Sequence, residues 1–433
     1  MTLETVKIND KGHLQVGGSD CVDLAEEFGT PLYVMDEELI RDNCRRYLKA
    51  LREYYPHGKI IYAAKAFFTL SMAKLAAEEG LYIDIVSGGE LYTALKAGFP
   101  PQRLYFHGNN KSREELKYSL DSGVGYIVVD SLAELEELIE VSREAQAHTS
   151  ILLRIRPGVE AHTHEYIQTG KEDSKFGFGI SEGDALEAVK LSLEATPYIN
   201  LKGFHCHIGS QIFSLEPFKV TAEVMVDFIK EVRDKTGFIA DELNMGGGLG
   251  IRHKQDESAP SIESYVGTIA EAVKHCAEEH NLPFPELSLE PGRSVTGEPG
   301  ITLYRAGVIK DIPGIRRYIS VDGGMMDNIR PALYDAEYEA ILANKMNERK
   351  QQEITLAGKA CESGDILIKD AYLPPVEKGD LIAVLSTGAY CYSMSNNYNQ
   401  NPKPAVVFVR NGEARIVVKR ETYEDIISLN ELL

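Results

Sequence analysis

The sequence predicts an α/β fold, a (β/α)8 TIM-like barrel, joined to a C-terminal mostly β domain, and three observations carry that expectation. Between residues 58 and 292 about eight short apolar runs rich in Ile, Val, Tyr and Leu alternate with segments of helical periodicity. Strand then helix, repeated, means parallel pairing, and eight such units over roughly 230 residues match a closed barrel better than an open sheet. After Glu290 the rhythm changes to short strands broken by Gly and Pro, without a long helical pattern between them. The apolar runs also close on residues that carry chemistry, and a barrel gathers such strand ends on one face.

In order, the strands read as Lys59-Ala63, Tyr82-Val86, Arg103-His107, Tyr126-Asp130, Ile151-Arg156, Leu201-His207, Asp241-Met245 and Glu286-Glu290. Leu70-Glu79, Gly89-Ala97, Arg113-Ser122 and Leu132-Ala145 carry apolar residues at helical spacing. Beyond the barrel, Ile315-Val321, Ile354-Ala360, Leu381-Leu385 and Ala405-Val409 read as strands of a Greek-key-like β barrel. Val6-Ile8, His13-Val16 and Leu32-Val34 near the N-terminus are strand-like too and are expected to join that β domain. The expected division is residues 1–36 with the β domain, 37–292 as the barrel and 293–433 as the β domain proper.

A net charge of −20 argues against a nucleic-acid or anionic-membrane surface, since both need clustered positive charge. The partner is expected to be a small molecule. The opening residues carry no basic and apolar leader, and no run approaches the roughly 18 apolar residues of a membrane-spanning helix. The six cysteines form no Cys-x-x-Cys pair, which fits a reducing compartment, and the expected location is cytoplasmic. Most of these cysteines read as small buried hydrophobes.

Lys65 closes the first strand among Ala63, Ala64 and Ala66, where partial desolvation makes a neutral amine available for imine chemistry. Alone, such a lysine is more often a salt-bridge partner, and the other strand ends shift the reading toward imine chemistry. Gly246-Gly-Gly-Leu-Gly250 follows the seventh strand, where bare backbone can point N–H groups at a phosphate, or can simply turn. Its late position disfavours a dinucleotide fingerprint. Glu290 closes the eighth strand, where a carboxylate facing a pyridine nitrogen would keep the ring protonated as an electron sink. Arg293 offers a planar fork to a phosphate or carboxylate. His207, two residues after His205, could stack on a ring with Ser210 reaching a phosphate. A metal pair is the rival reading of His-x-His and would need further ligands at other strand ends. Together, lysine, ring, glycine cradle and carboxylate make the inventory for pyridoxal 5′-phosphate (PLP), with no metal expected. In the β domain, Cys361-Glu362-Ser-Gly-Asp365 and Gly388-Ala-Tyr390 are dense in functional side chains, yet either could be plain turn chemistry, and Arg330 is ambiguous alone.

Taken together these residues resemble the alanine-racemase-like class of PLP-dependent enzymes and, within it, the diaminopimelate decarboxylase family. The resemblance runs through Val86-Ser-Gly-Gly-Glu90-Leu-Tyr, Phe106-His-Gly-Asn-Asn-Lys111-Ser, His162-Thr-His-Glu-Tyr166, Asp173-Ser-Lys-Phe-Gly177 and Gly388-Ala-Tyr390. It implies that Lys65 is the Schiff-base lysine, that His207 stacks on the ring and that Glu290 partners its nitrogen. Ser210, Gly248, Gly292, Arg293 and Tyr390 would bind the cofactor phosphate, with Asp84, Gly247 and Pro291 also counted among the cofactor-binding positions. Arg293, Arg330, Tyr334, Glu362 and Tyr390 would surround the substrate, meso-diaminopimelate, and Cys361 would return a proton to Cα. The resemblance further implies a homodimer in which Cys361 and Glu362 enter the neighbouring subunit's site, and a product of L-lysine and carbon dioxide, the last step of lysine synthesis. Rival readings are a decarboxylase of the same class acting on ornithine, arginine, lysine or carboxynorspermidine, a non-catalytic PLP carrier, and a racemase using Tyr390 or Tyr392 as a second base.

Overall fold

The computed structural model describes residues 6–159, 174–254 and 256–433. The chain divides into two compact units, one formed by 43–250 and 259–294, the other by 1–42, 251–258 and 295–433.

The first unit is the barrel. Its strands are β1 (Gly58–Ala63), β2 (Tyr82–Ile85), β3 (Leu104–Phe106), β4 (Tyr126–Val129), β5 (Thr149–Arg156), β6 (Ile199–His205), β7 (Glu242–Asn244) and β8 (Glu286–Leu289). They pair in parallel and in sequence order, and β8 pairs back onto β1, so the sheet closes. Closure leaves no sheet edge in this ring. The expected strands are all present, most ending one or two residues earlier than the apolar run.

Caps fix where the outer helices begin. Thr69, Ser87, Ser112 and Ser131 each accept a backbone N–H from the first turn of the helix that follows, and Ser112 forms a reciprocal capping box with Glu115. Each helix therefore starts at a defined residue and returns the chain to the bottom of the barrel. Inside, Ile61, Tyr105, Val128 and Leu152 form a buried cluster that fills the lumen.

The second unit is built on a sheet that joins distant parts of the sequence. Leu32–Asp36 runs antiparallel to the long strand Gly300–Ile312 and parallel to Ala405–Arg410. Arg316–Val321, Gln352–Ala357 and Ile366–Leu373 extend it on one side and Glu413–Val418 on the other. Val34, Leu303, Leu381 and Val407 belong to its core. The strand at 300–312 has no counterpart in the sequence reading, because Gly300 and Gly307 break its apolar pattern. Gly300 is required there by close approach, as a Cβ would collide with Gly388.

Candidate active site

Residues two apart on a strand share a face, so the inward row of each barrel strand continues past its end into the mouth. That rule brings Asp84 (after Tyr82), His107 (after Tyr105), Arg154 (after Leu152), His205 (after Gly203), Asn244 (after Glu242) and Glu290 (after Ser288) to the C-terminal face, all buried.

Glu290 is the hub. Its Oε1 accepts from Asn244 Nδ2 at 2.8 Å, and its Oε2 lies 3.1 Å from His205 Nε2. His107 Nε2 stands 2.9 Å from Oε1 in an off-axis contact, with the two imidazoles edge to face at 4.8 Å. Burial opposes ionisation of Glu290, but His107 and His205 outweigh it and hold the carboxyl well below its usual range. Burial pushes His205 the other way, down to about 4, so its ring is neutral at pH 7 and donates through Nε2. The backbone N–H of His107 donates to Ile85 at 2.7 Å, and Lys111 Nζ anchors the following turn on the Gly108 and Val128 carbonyls and on Glu134.

Asp84 accepts from the Ala64 N–H at 3.1 Å, which fixes the one-turn helix Ala64–Ala66 carrying Lys65. Burial raises Asp84 to about 6, reinforced by Glu290 and relieved by His107 and Lys65, and burial raises Glu90 to about 7. Lys65 itself corrects the sequence expectation of desolvation. Its side chain is exposed at the barrel mouth while the flanking alanines are buried, because the turn aims it away from the packed wall.

The glycine loop stands between β7 and β8. Gly246 has φ +64°, and its N–H donates to Asn244 Oδ1 at 2.9 Å. A Cβ at Gly247 would run into the Glu290 carbonyl oxygen, and one at Gly248, where φ is +126°, into that of Gly209. The Gly247 N–H donates to His207 Nδ1 at 3.3 Å, leaving Nε2 as the protonated nitrogen of a ring that burial keeps neutral. His207 thus faces the glycine loop while His205 faces Glu290, so the His-x-His pair does not converge on one point. Arg293 donates to Ser210 Oγ from Nη2 at 2.9 Å and from Nε at 3.2 Å. Pro291 accepts from the Ala63 N–H at 3.0 Å, and Gly292 lies where a Cβ would crowd Ala63 and Ala66.

Lys65, Asp84, His207, Ser210, Gly247, Gly248, Glu290, Pro291, Gly292 and Arg293 therefore all belong to the barrel unit. The sequence reading gave no role to His107, Asn244 or Arg154. The period of two from Tyr105, Glu242 and Leu152 was the signal that could have found them.

Arg330, Tyr334, Cys361, Glu362 and Tyr390 belong to the second unit. Arg330 is buried, donates from Nε to Tyr338 Oη at 2.9 Å, and has its guanidinium 5.2 Å from the Tyr334 ring and 5.5 Å from the Tyr390 ring. Tyr390 adopts φ +63°, a conformation costly for a large side chain and characteristic of functional turns. Cys361 and Glu362 are exposed on a turn clamped by Asp365, whose carboxylate accepts from Met325 and Ala360 N–H groups at 2.6 and 2.8 Å. His162–Tyr166 and Asp173 lie outside the described residues.

Residues 38–297 match the family described as pyridoxal-dependent decarboxylase, pyridoxal binding domain, and the chain belongs to this class of enzymes. It is 52% identical over 426 residues to the diaminopimelate decarboxylase of Bacillus subtilis, covering 98% of this chain and 97% of that one. Against the enzyme of that name from Staphylococcus aureus it is 49% identical over 424 residues, covering 98% and 99%. A solved diaminopimelate decarboxylase from M. jannaschii superposes with a TM-score of 0.92 at 35% identity, covering 100% of this chain and 98% of that chain. Within the class, the chain belongs to the diaminopimelate decarboxylase family.

Its cofactor is PLP, and the barrel mouth fits it on observations of its own. The glycine loop offers backbone where any Cβ would clash, Glu290 is a buried carboxylate kept ionised, and Lys65 stands exposed beside Asp84. Among the described residues His107, His205 and Glu290 are the cluster that could hold a metal ion, but their atoms are already engaged with one another at hydrogen-bonding distances.

Proposed function

We propose that this chain decarboxylates meso-2,6-diaminopimelate to L-lysine and carbon dioxide. The observation that carries the reading is the ionised, buried Glu290 sharing one barrel mouth with Lys65 and a glycine cradle, in a chain similar over its whole length to enzymes of that name. A relative of known structure, from M. jannaschii, is described in co-complex with L-lysine.

Lys65 would carry the cofactor, His207 would lie against its ring, and Ser210, Gly247, Gly248, Gly292, Arg293 and Tyr390 would hold its phosphate. Asp84 and Pro291 would fix the strand ends around it. When bound, the cofactor supplies the sink for the electron pair left at Cα as carbon dioxide departs. Glu290 sets its charge against the ring nitrogen. Cys361 delivers the proton that replaces the lost carboxylate at Cα.

Specificity would rest on Arg330, with Arg293, Tyr334, Glu362 and Tyr390 reading the distal amino acid. A buried guanidinium left without its carboxylate is penalised, so substrates lacking the distal carboxylate are rejected. This disfavours ornithine, arginine and lysine as substrates.

Cys361 and Glu362 are exposed in the single chain, which supports a homodimer in which each serves the neighbouring subunit's site. No helix of the described residues is long and apolar enough to cross a membrane. None of the six cysteines forms a disulfide and five are buried, which supports a cytoplasmic location.

The test is to incubate the PLP-loaded protein separately with meso-diaminopimelate, ornithine, arginine and L-lysine, measuring carbon dioxide and identifying the product. Release of L-lysine from meso-diaminopimelate alone is the expected result. Turnover of ornithine or arginine in preference to it, or of none of the four, would overturn the assignment.

A further inference from the structure

The carboxylate of Glu290 is surrounded by nitrogens from three different strand ends, and two of them belong to imidazoles that the reaction does not otherwise use. We propose that His107 and His205 are a pair of positioning residues that hold Glu290 ionised and oriented toward the cofactor ring nitrogen. The inference rests on the reading of Glu290 as the partner of that nitrogen.

A carboxylate as buried as Glu290 takes up a proton unless donors compensate the lost water. A cation could do this, but a contacting cation would also spend the negative charge that the ring nitrogen needs. Neutral donors stabilise the anion without cancelling it. Asn244 provides one, through Nδ2 at 2.8 Å. His205 provides a second at 3.1 Å on the other oxygen. Its own Nδ1 is buried without a hydrogen-bond partner, which fixes Nε2 as the protonated nitrogen facing Glu290. His107 Nε2 stands 2.9 Å from Oε1 in an off-axis contact, its ring packed edge to face against the His205 ring at 4.8 Å.

The other charged and titratable groups that act on this cluster are Lys65 after β1, Asp84 from β2, Glu90, Arg154 from β5, Cys206 and His207 after β6, and Tyr265. Of the basic side chains among these, Lys65 acts on Asp84 and His207, and Arg154 makes its ion-pair contact with Asp130, at 3.5 Å. Asn244 and the neutral His205 ring therefore stabilise the charge on Glu290 as dipoles.

The experiment compares His107→Leu, His205→Leu and the amide variant His205→Asn, each alone and combined with Glu290→Gln, all loaded with PLP. The readouts are the pH midpoint of the cofactor's visible absorption band, the affinity for PLP, and kcat and KM. We expect the leucine variants to shift the band's midpoint and to lower kcat by roughly 10- to 100-fold, by analogy with the loss of hydrogen-bond partners behind metal ligands. KM should change less than about threefold, because no substrate contact is lost. His205→Asn, which restores an N–H donor, should recover most of both effects. In the Glu290→Gln background the same substitutions should cost almost nothing further, since they act through the carboxylate.

Additive losses in that background, or an unmoved band in folded leucine variants, would overturn the inference. An asparagine variant as impaired as the leucine variant would do the same. Failure of the underlying reading is distinguishable, because then the unmodified protein would show no cofactor band or Glu290→Gln would leave the band unchanged.

Discussion

The two ends of the barrel each bury a glutamate, and they stabilise it in opposite ways. At the bottom, Glu242 meets a cation, with Lys59 Nζ at 3.0 Å from it and 2.7 Å from Glu286. Lys59 also donates to Tyr105 and Tyr126 at 3.1 and 3.0 Å and sits 4.6 Å from the Tyr126 ring centre. Tyr105 stacks on Tyr126 at 4.2 Å and, with Ser288, returns hydrogen bonds to Glu242. Donors and acceptors are matched within the network, so this end has nothing to offer a ligand. At the top, Glu290 is ringed by an amide and two imidazoles, and its charge stays available. The same eight strands thus carry a closed ion pair at one end and an uncancelled carboxylate at the other. Where charge is cancelled, losing one partner strands the other, and chemistry is possible where charge is only stabilised.

Four experiments break or sharpen this contrast. The largest effect is expected at the open end, where Lys65→Ala should lower kcat by about 10⁴-fold, the scale of losing one member of a catalytic unit. Its thermal unfolding should be nearly unchanged, since the side chain is exposed. The closed end should show the reverse. Lys59→Met should destabilise the protein by about 3–5 kcal/mol by leaving Glu242 buried without its cation. Chemical denaturation would measure this, kcat of the folded fraction would stay near normal, and adding Glu242→Gln should restore part of the loss.

Cys361→Ala should reduce kcat by about 10²- to 10³-fold, the range for removing a general acid, with no effect on denaturation. Retention of full activity would move the proton donor elsewhere. The smallest effect is a pH dependence at the mouth. Glu90 has its folded-state pKa raised by burial to about 7, above the unfolded value of about 4.3. Its contribution to stability is therefore complete below the unfolded value and lost as pH rises through about 7. Glu90→Gln should match the parent near pH 4 and exceed it by about 1–2 kcal/mol at pH 8, after allowance for partial exposure. Denaturation midpoints at both pH values would check it, and an equal gap at both would refute the assignment.

The barrel was legible because its signals are local. An apolar run of four residues such as Tyr126–Val129, followed by Ser131 as a helix cap and the spaced leucines of 132–145, defines a strand and a helix without reference to the rest of the chain. The strand at 300–312 was not legible, because glycines interrupt it and its pairing with Leu32–Asp36 crosses more than half the sequence. Among the candidate site residues, Lys65, Glu290 and the glycine loop announced themselves by standing at strand ends. His107 did not, because a lone histidine after an apolar strand carries no signal until Glu290 is placed beside it.

What the sequence by itself determined is the inventory and its order: a parallel barrel with lysine, imidazole, glycine loop and carboxylate at successive strand ends, and a β domain with an arginine and a cysteine turn. These follow from periodicity and turn chemistry, which act over a few residues. Only the tertiary structure decided which buried charge is cancelled and which is left open. Glu242 and Glu290 are alike in sequence, each a glutamate on an apolar strand, and they differ in what the neighbouring strands present. Closure brings Lys59 to one and His107 and His205 to the other. That choice depends on register across a ring of strands, a long-range quantity that no local pattern encodes.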